Sequence, residues 1–122
     1  MIPSMAPADK PLAWLHGEIR TPPMSAAARL EVGFLLRRLQ RGDRLEFPHS
    51  RPMPDVGPGC HELRVPDENV TWRIVYRADP DAVVILDVFA KKTSRTPASV
   101  MRACRHRLSA HDSATRDKGS AP

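Results

Sequence analysis

Three β-type runs, Cys60 to Val65, Val70 to Arg77 and Ala82 to Phe89, follow one another with only four residues between them, and this constrains the fold more than any other feature. The separators, Pro66-Asp67-Glu68-Asn69 and Ala78-Asp79-Pro80-Asp81, are built from residues that favour tight turns. Connections so short join antiparallel neighbours, because a parallel crossover needs a dozen or more residues. The runs therefore predict a three-stranded meander. The third contains Val83-Val84-Ile85-Leu86, apolar at successive positions, so both of its faces must be covered and it belongs inside the sheet.

Upstream the period changes from two to three and four. Between Ser25 and Arg41, Ala28, Val32, Leu35, Leu36 and Leu39 form one apolar stripe, with Arg29, Glu31, Arg37, Arg38 and Arg41 mostly off it. Either Thr21, followed by Pro22 and Pro23, or Ser25 supplies the cap, and Gly42 the stop. Pro11-Leu12-Ala13-Trp14-Leu15 fits a short edge strand. Asp43 to Gly59, carrying Pro48, Pro52, Pro54 and Pro58, reads as an ordered loop. Thr96 as cap and Pro97 at the first position open a last helix to about Leu108, with Val100, Cys104 and Leu108 as its buried stripe. Residues 1–9 and 109–122 have the composition of disordered tails, leaving one domain over residues 10–108. A chain of 122 residues with 41% hydrophobic side chains has material for one core and too little for two.

Charge narrows the partners. Nineteen Lys and Arg against 14 Asp and Glu give a net charge of +5, and Arg, which outnumbers Lys, offers a rigid fork of donors matched to phosphate. A polyanion is the favoured partner, nucleic acid first. Cys60 and Cys104 are too few for a secreted disulfide framework, so a reducing cytoplasm is expected. No run of 18 apolar residues exists and Met1 to Pro7 lacks the pattern of a signal peptide, so no membrane role is expected. His16, His49, His106 and His111 show no ligand spacing, and neither metal nor cofactor is predicted.

Alternation along the meander gathers a site. If Pro66 to Asn69 forms the first turn, Val65 pairs with Val70, Leu63 with Trp72 and Glu62 with Arg73. Leu63, Val65, Val70, Trp72, Ile74 and Tyr76 then share the core face. Glu62, Arg64, Thr71, Arg73 and Arg77 share the other. One carboxylate among three guanidinium groups is an unusual face to build for stability alone, since neighbouring like charges repel. It reads as an anion site, with Lys91-Lys92 at its mouth. Trp72, Tyr76 and Trp14 read as core aromatics and Cys104 as packing. Cys60 and His61, adjacent on a strand, point to opposite faces and so do not make a nucleophile pair.

Gly57-Pro58-Gly59-Cys60-His61-Glu62-Leu63-Arg64, Trp72-Arg73-Ile74-Val75-Tyr76-Arg77 and Val88-Phe89-Ala90-Lys91-Lys92-Thr93-Ser94-Arg95-Thr96-Pro97 together resemble the RelE/ParE toxin superfamily, in its phage-derived, HigB-like branch. Leu36 to Gly42 and Ser50-Arg51-Pro52-Met53-Pro54 are similar to the same branch. The resemblance implies an α+β, RelE-like small domain: an antiparallel sheet with N-terminal helices packed on one face and a C-terminal helix. It also implies the toxin of a type II toxin-antitoxin pair, a ribosome-dependent, metal-independent endoribonuclease that leaves 2′,3′-cyclic phosphate and 5′-OH ends on mRNA. A ParE-like inhibitor of DNA gyrase without nuclease activity is the alternative. The implied partners are a helix-turn-helix antitoxin, the ribosome and mRNA, with operator DNA reached only through the antitoxin.

By the same resemblance Arg64, Arg73 and Lys92 fall on positions that bind the reacting phosphate, and Arg51, Arg77, Lys91 and Arg95 on RNA contacts. The sequence departs from the RelE pattern in having Glu62 where a lysine is expected and no tyrosine in the last helix. Glu62 or His61 is then the candidate base. A carboxylate among arginines is a weak base because its pKa is lowered, whereas His61 has the pKa for the task and points toward the core.

Overall fold

The computed structural model describes residues 9–15, 23–91 and 96–120. A five-stranded sheet runs through its middle, with one helix on each face. The strands are β1 (Leu12–Trp14), β2 (Ser50–Pro52), β3 (Cys60–Pro66), β4 (Thr71–Ala78) and β5 (Val83–Lys91), and the helices are α1 (Ala26–Gln40) and α2 (Ala98–Ser120). Across the sheet the order is β1-β5-β4-β3-β2. The meander β3-β4-β5 forms its centre, as the turn spacing predicts.

Helix α1 begins at Ser25, whose side-chain oxygen accepts from the Ala28 amide. The Asp67 carboxylate, in the β3-β4 turn, accepts from the Ser25 amide and from the Trp72 indole, both at 3.0 Å, and so ties the helix start to the hairpin. The helix ends at Gly42, at φ 93°, with the Gly42 amide on Leu39 O and the Asp43 amide on Arg38 O. That double closure needs a left-handed residue, which glycine adopts without a Cβ penalty.

Two cores flank the sheet. Ala28, Leu35, Leu36 and Leu39 of α1 pack on Leu63, Val65, Trp72, Ile74, Tyr76, Val83 and Ile85. Cys104 and Leu108 of α2 pack with Met53, Val56, Cys60, Val75, Val84 and Leu86 on the opposite face. Val83 to Leu86 are fully buried on both faces of β5, which is interior to the sheet as expected. Each large aliphatic side chain so buried contributes roughly 1.5–3 kcal/mol.

Several expectations are corrected. The sheet is mixed rather than antiparallel, because β1 lies parallel to β5, Leu12 opposite Val83. The described residues hold one helix before the sheet, not several, and the second helix covers the other face. β2, hidden by prolines in the expected loop 43–59, pairs Arg51 with Glu62. The first hairpin turns at Asp67 to Val70, closed by the Asp67 amide on Val70 O. Pairing is therefore displaced by two residues: Val65 faces Trp72, Arg64 faces Arg73 and Glu62 faces Val75. A displacement of two preserves every side chain's face.

The last helix starts at Ala98, with the Pro97 carbonyl accepting from Val100 and Met101, so Thr96 is not its cap. It also runs past Leu108 to Ser120, through much of the expected tail. Asp112 explains the extension: its carboxylate meets both terminal nitrogens of Arg77, at 2.7 and 3.0 Å. Trp14 is 39% exposed on the edge strand rather than buried. The expected N-terminal tail lies outside the described residues except for Asp9, as do Thr21 and Pro22.

Candidate nucleic-acid interface

The α2-side face of the sheet is polar where β2, β3 and β4 meet beyond the cover of the helix. Residues opposite one another in antiparallel strands share a face, so the register aligns Arg51, Glu62, Val75 and Asp87 in one row and Arg64, Arg73 and Phe89 in the next. The gathering of Glu62, Arg64 and Arg73 read from alternation is thus reproduced, through a different set of cross-strand pairs.

At the centre is a buried ion pair. Arg73 Nη1 donates to Glu62 Oε1 at 2.6 Å, with the two side chains 3% and 0% exposed. Thr96 Oγ1 donates to the other carboxylate oxygen at 3.4 Å. Both oxygens of Glu62 are thereby engaged, which fixes the Arg73 fork diagonally across the strands. Arg64 stands opposite Arg73 and is partly exposed, while its Nε is buried with no hydrogen-bond partner among the described residues. A guanidinium held next to another cation, with one donor unsatisfied, favours an anion at this place.

Beside the pair opens a groove of about 960 Å3 between the β2 strand and the start of α2. Arg51 and Arg105 reach it from its two walls, Met53 and Met101 line it, and Thr96 connects it to Glu62. Arg105 Nη1 also donates to the Asp55 carbonyl at 3.0 Å, latching the loop before β3 onto the helix. Gly57 lets that loop approach, since a Cβ there would come within 2.9 Å of Leu108 Cδ2.

Other predicted site residues lie apart. Arg77 is on the same face but two rows away, bound to both Asp79 and Asp112. The hydrogen bonds it donates to the Asp112 and then the Asp79 carboxylates push its pKa further up. It fastens α2 to the sheet. His61 is on the α1-side face, stacked on Tyr76 with ring centres 5.6 Å apart, its Nδ1 3.1 Å from the Gly59 carbonyl. It does not meet Glu62 or Arg64. Lys91 ends β5 opposite Thr71. Lys92 and Arg95 lie outside the described residues.

Tyr76, hydrogen bonded to Ser50 Oγ at 2.7 Å, is a core residue whose pKa burial raises. Burial likewise pushes the Cys104 thiol up to about 12 and raises Cys60, which leaves both as packing groups. Among the described residues no cluster of three or more His, Cys, Asp or Glu is arranged to hold a metal ion, and no helix is long and apolar enough to cross a membrane.

Sequence reading alone missed the groove. Thr96 resembled a helix cap, and nothing local announces its reach to Glu62, 34 residues away. Met101 and Arg105 share the i, i+4 spacing of one helix face, a visible signal whose meaning required knowing that β2 lies beside it.

Compared with known families, residues 22–109 match the profile of the phage-derived protein Gp49-like family (DUF891). No curated protein and no solved structure matches the chain.

Proposed function

Since the chain belongs to the phage-derived Gp49-like family, a type II toxin-like family of the RelE/HigB-like group, we propose that it is a toxin that cuts mRNA on the ribosome without a metal ion. In this reading a helix-turn-helix antitoxin restrains it in the cytoplasm and carries it to operator DNA. The observation that carries the reading is Arg64 standing opposite Arg73, with Arg73 fixed by the buried Glu62 carboxylate.

The chemistry is attack of a ribose 2′-OH on its own 3′-phosphate: the 2′-oxygen–phosphorus bond forms as the bond to the next 5′-oxygen breaks, and the 2′-OH proton passes through solvent to the departing 5′-oxygen. Negative charge grows on the phosphoryl oxygens as the phosphorane-like transition state forms. Guanidinium groups already held in place stabilise that charge without reorganising, which is often the largest contribution an active site makes. Arg64 is the contact to the reacting phosphate. Arg73 supplies a fixed positive field beneath it, and Arg51 at the groove meets the neighbouring backbone. Lys92 is a further contact to the reacting phosphate and Lys91 and Arg95 are further RNA contacts in this reading.

Glu62 is a positioning residue for Arg73 rather than the base, because both of its oxygens are engaged and the side chain is fully buried. His61 faces away. The reading is accordingly built on charge stabilisation. Leu30, Phe34 and Phe47, at 77%, 56% and 68% exposure, remain uncovered on and after α1, and they support a protein partner that buries apolar surface.

Induced expression followed by mapping of 5′-OH ends on cellular mRNA tests the reading. Codon-phased ends are expected with the native chain and are lost in Arg64→Ala, a partly exposed position whose replacement leaves the fold intact. Intact mRNA accompanied by double-strand DNA breaks would overturn it in favour of gyrase inhibition.

A further inference from the structure

We propose that the groove between β2 and the start of α2 is a nucleobase subsite, taking the base next to the reacting phosphate onto Met53 and Met101 while Arg51 and Arg105 hold the flanking RNA backbone. The proposal rests on the RNA-cleaving reading of the adjacent sheet face and names what that face selects.

Three observations carry it. The groove is continuous with the ion-pair centre: Thr96 lines it and donates to Glu62, and Arg51 pairs across the strands with Glu62 itself. A strand of RNA whose phosphate lies at Arg64 therefore has its neighbouring residue at the groove mouth. The lining is also chemically divided. Two methionines line it, Met53 mostly buried in the α2-side core and Met101 packed against that core, and thioethers favour contact with aromatic rings. Arg51 comes to the groove from β2 and Arg105 from α2, and guanidinium groups suit both phosphate oxygens and stacking against a base.

Size agrees as well. About 960 Å3 is several times what a base alone fills and leaves room for a base together with its flanking sugar-phosphate backbone. Asp55 also lines the groove, its backbone carbonyl taken by Arg105. An acidic protein segment would satisfy the two arginines but would gain little from the two methionines, on which a base can stack. RNA is thus the better occupant.

The test uses the full chain and two readouts. In cells, the sequence profile of 5′-OH ends is compared between the native chain and Met101→Ala, whose folding is checked by thermal unfolding. Met101 is partly exposed, so the substitution is tolerated. A change in base preference beside the cut on the order of fivefold is expected for the loss of one such contact. Cutting with an unchanged profile overturns the subsite while leaving the nuclease reading intact.

In vitro, a 4-thiouridine oligoribonucleotide carrying a 2′-O-methyl block is photocrosslinked to the native chain and the adduct mapped by mass spectrometry. Adducts on the peptides holding Met53 and Met101 are expected, and Arg105→Glu should reduce them severalfold. If the native chain produces no 5′-OH ends but these adducts persist, the nuclease reading fails and the subsite stands as an RNA-binding site. Adducts elsewhere only, or protection of these peptides by a co-expressed protein with no RNA adduct, overturn the subsite.

Discussion

Removing the Glu62 carboxylate is the sharpest perturbation available. Its pair with Arg73 has a 2.6 Å contact and side chains only 0% and 3% exposed. Glu62→Ala deletes the carboxylate and takes the 2.6 Å Glu62 partner away from a guanidinium that stays inside the protein. Breaking such a pair from one side typically costs about 3–5 kcal/mol, since burial of the remaining charge goes uncompensated. A chain of this length has a total stability of roughly 6–18 kcal/mol at about 0.05–0.15 kcal/mol per residue, so the loss is a large fraction of the whole. Glu62→Gln, which keeps an acceptor and the shape, should lose less, about 1.5–3 kcal/mol for the charge-assisted part of the bond. In the double variant Glu62→Leu with Arg73→Met the charges leave together, and most of the Glu62→Ala loss should return. Urea unfolding followed by tryptophan fluorescence, sensitive to the buried Trp72, reads these differences as shifts in midpoint at constant slope. The reasoning is refuted if Glu62→Ala loses under about 1 kcal/mol, or if the separate losses of Glu62→Leu and Arg73→Met simply add in the double variant.

The turn carboxylate gives a pH prediction. Hydrogen bonds from the Ser25 amide, with smaller help from Glu68 and Trp72, hold the Asp67 pKa at about 2 against an ordinary 3.8. A folded pKa below the unfolded one supplies stability that is complete above the unfolded value and is lost as pH falls through the folded one. Acid unfolding between about pH 4 and 2 should therefore flatten in Asp67→Asn; an unchanged pH profile would contradict the assignment. Arg77→Met should release the C-terminal half of α2, raising amide exchange after Leu108 and costing about 1–2 kcal/mol once partial exposure of the carboxylates is allowed for. Equal exchange along the helix in both proteins would show that Asp112 does not anchor it. Cys60 and Cys104 should resist thiol reagents at neutral pH until the protein unfolds, because both are buried with raised pKa values; stoichiometric labelling of the native protein would count against the packing described.

How far the sequence was legible depended on the range of the interaction. The meander and the α1 stripe are local patterns, and both were visible. The two-residue error in hairpin register did no harm to the site, because strand faces depend on parity: Glu62, Arg64 and Arg73 stay together whether Glu62 faces Arg73 or Val75. The turn is closed one position later by the Asp67 amide on Val70 O, and the Asp67 carboxylate accepts from the Ser25 amide, 42 residues away, a contact no local pattern announces. β2 was hidden for a related reason. Only three residues long and containing Pro52, it has no period of its own and exists because β3 offers an edge. The length of α2 was misjudged on composition, which registers the missing apolar residues after Leu108 but not an ion pair from a strand end to Asp112.

The same distinction bears on the two basic residues that alternation placed alongside each other. Arg77 and Arg73 occupy equivalent positions on one strand face, and charge counting treats them alike. Their neighbours divide them. Arg77 is held by two carboxylates and joins the sheet to the far half of α2, so its positive charge is cancelled where it stands. Arg73 is paired with the buried Glu62 carboxylate but faces Arg64 across the strands, so that row places two arginines next to an open groove. Anion binding follows from the excess of cations in a row, not from the presence of arginine. For that reason Arg64→Ala should weaken nucleic-acid binding and its salt dependence together, whereas Arg77→Met should change helix stability with the salt dependence left as it was. Equal salt slopes for the native chain and Arg64→Ala would mean that the row of Arg64 and Arg73 is not where the phosphate backbone is met.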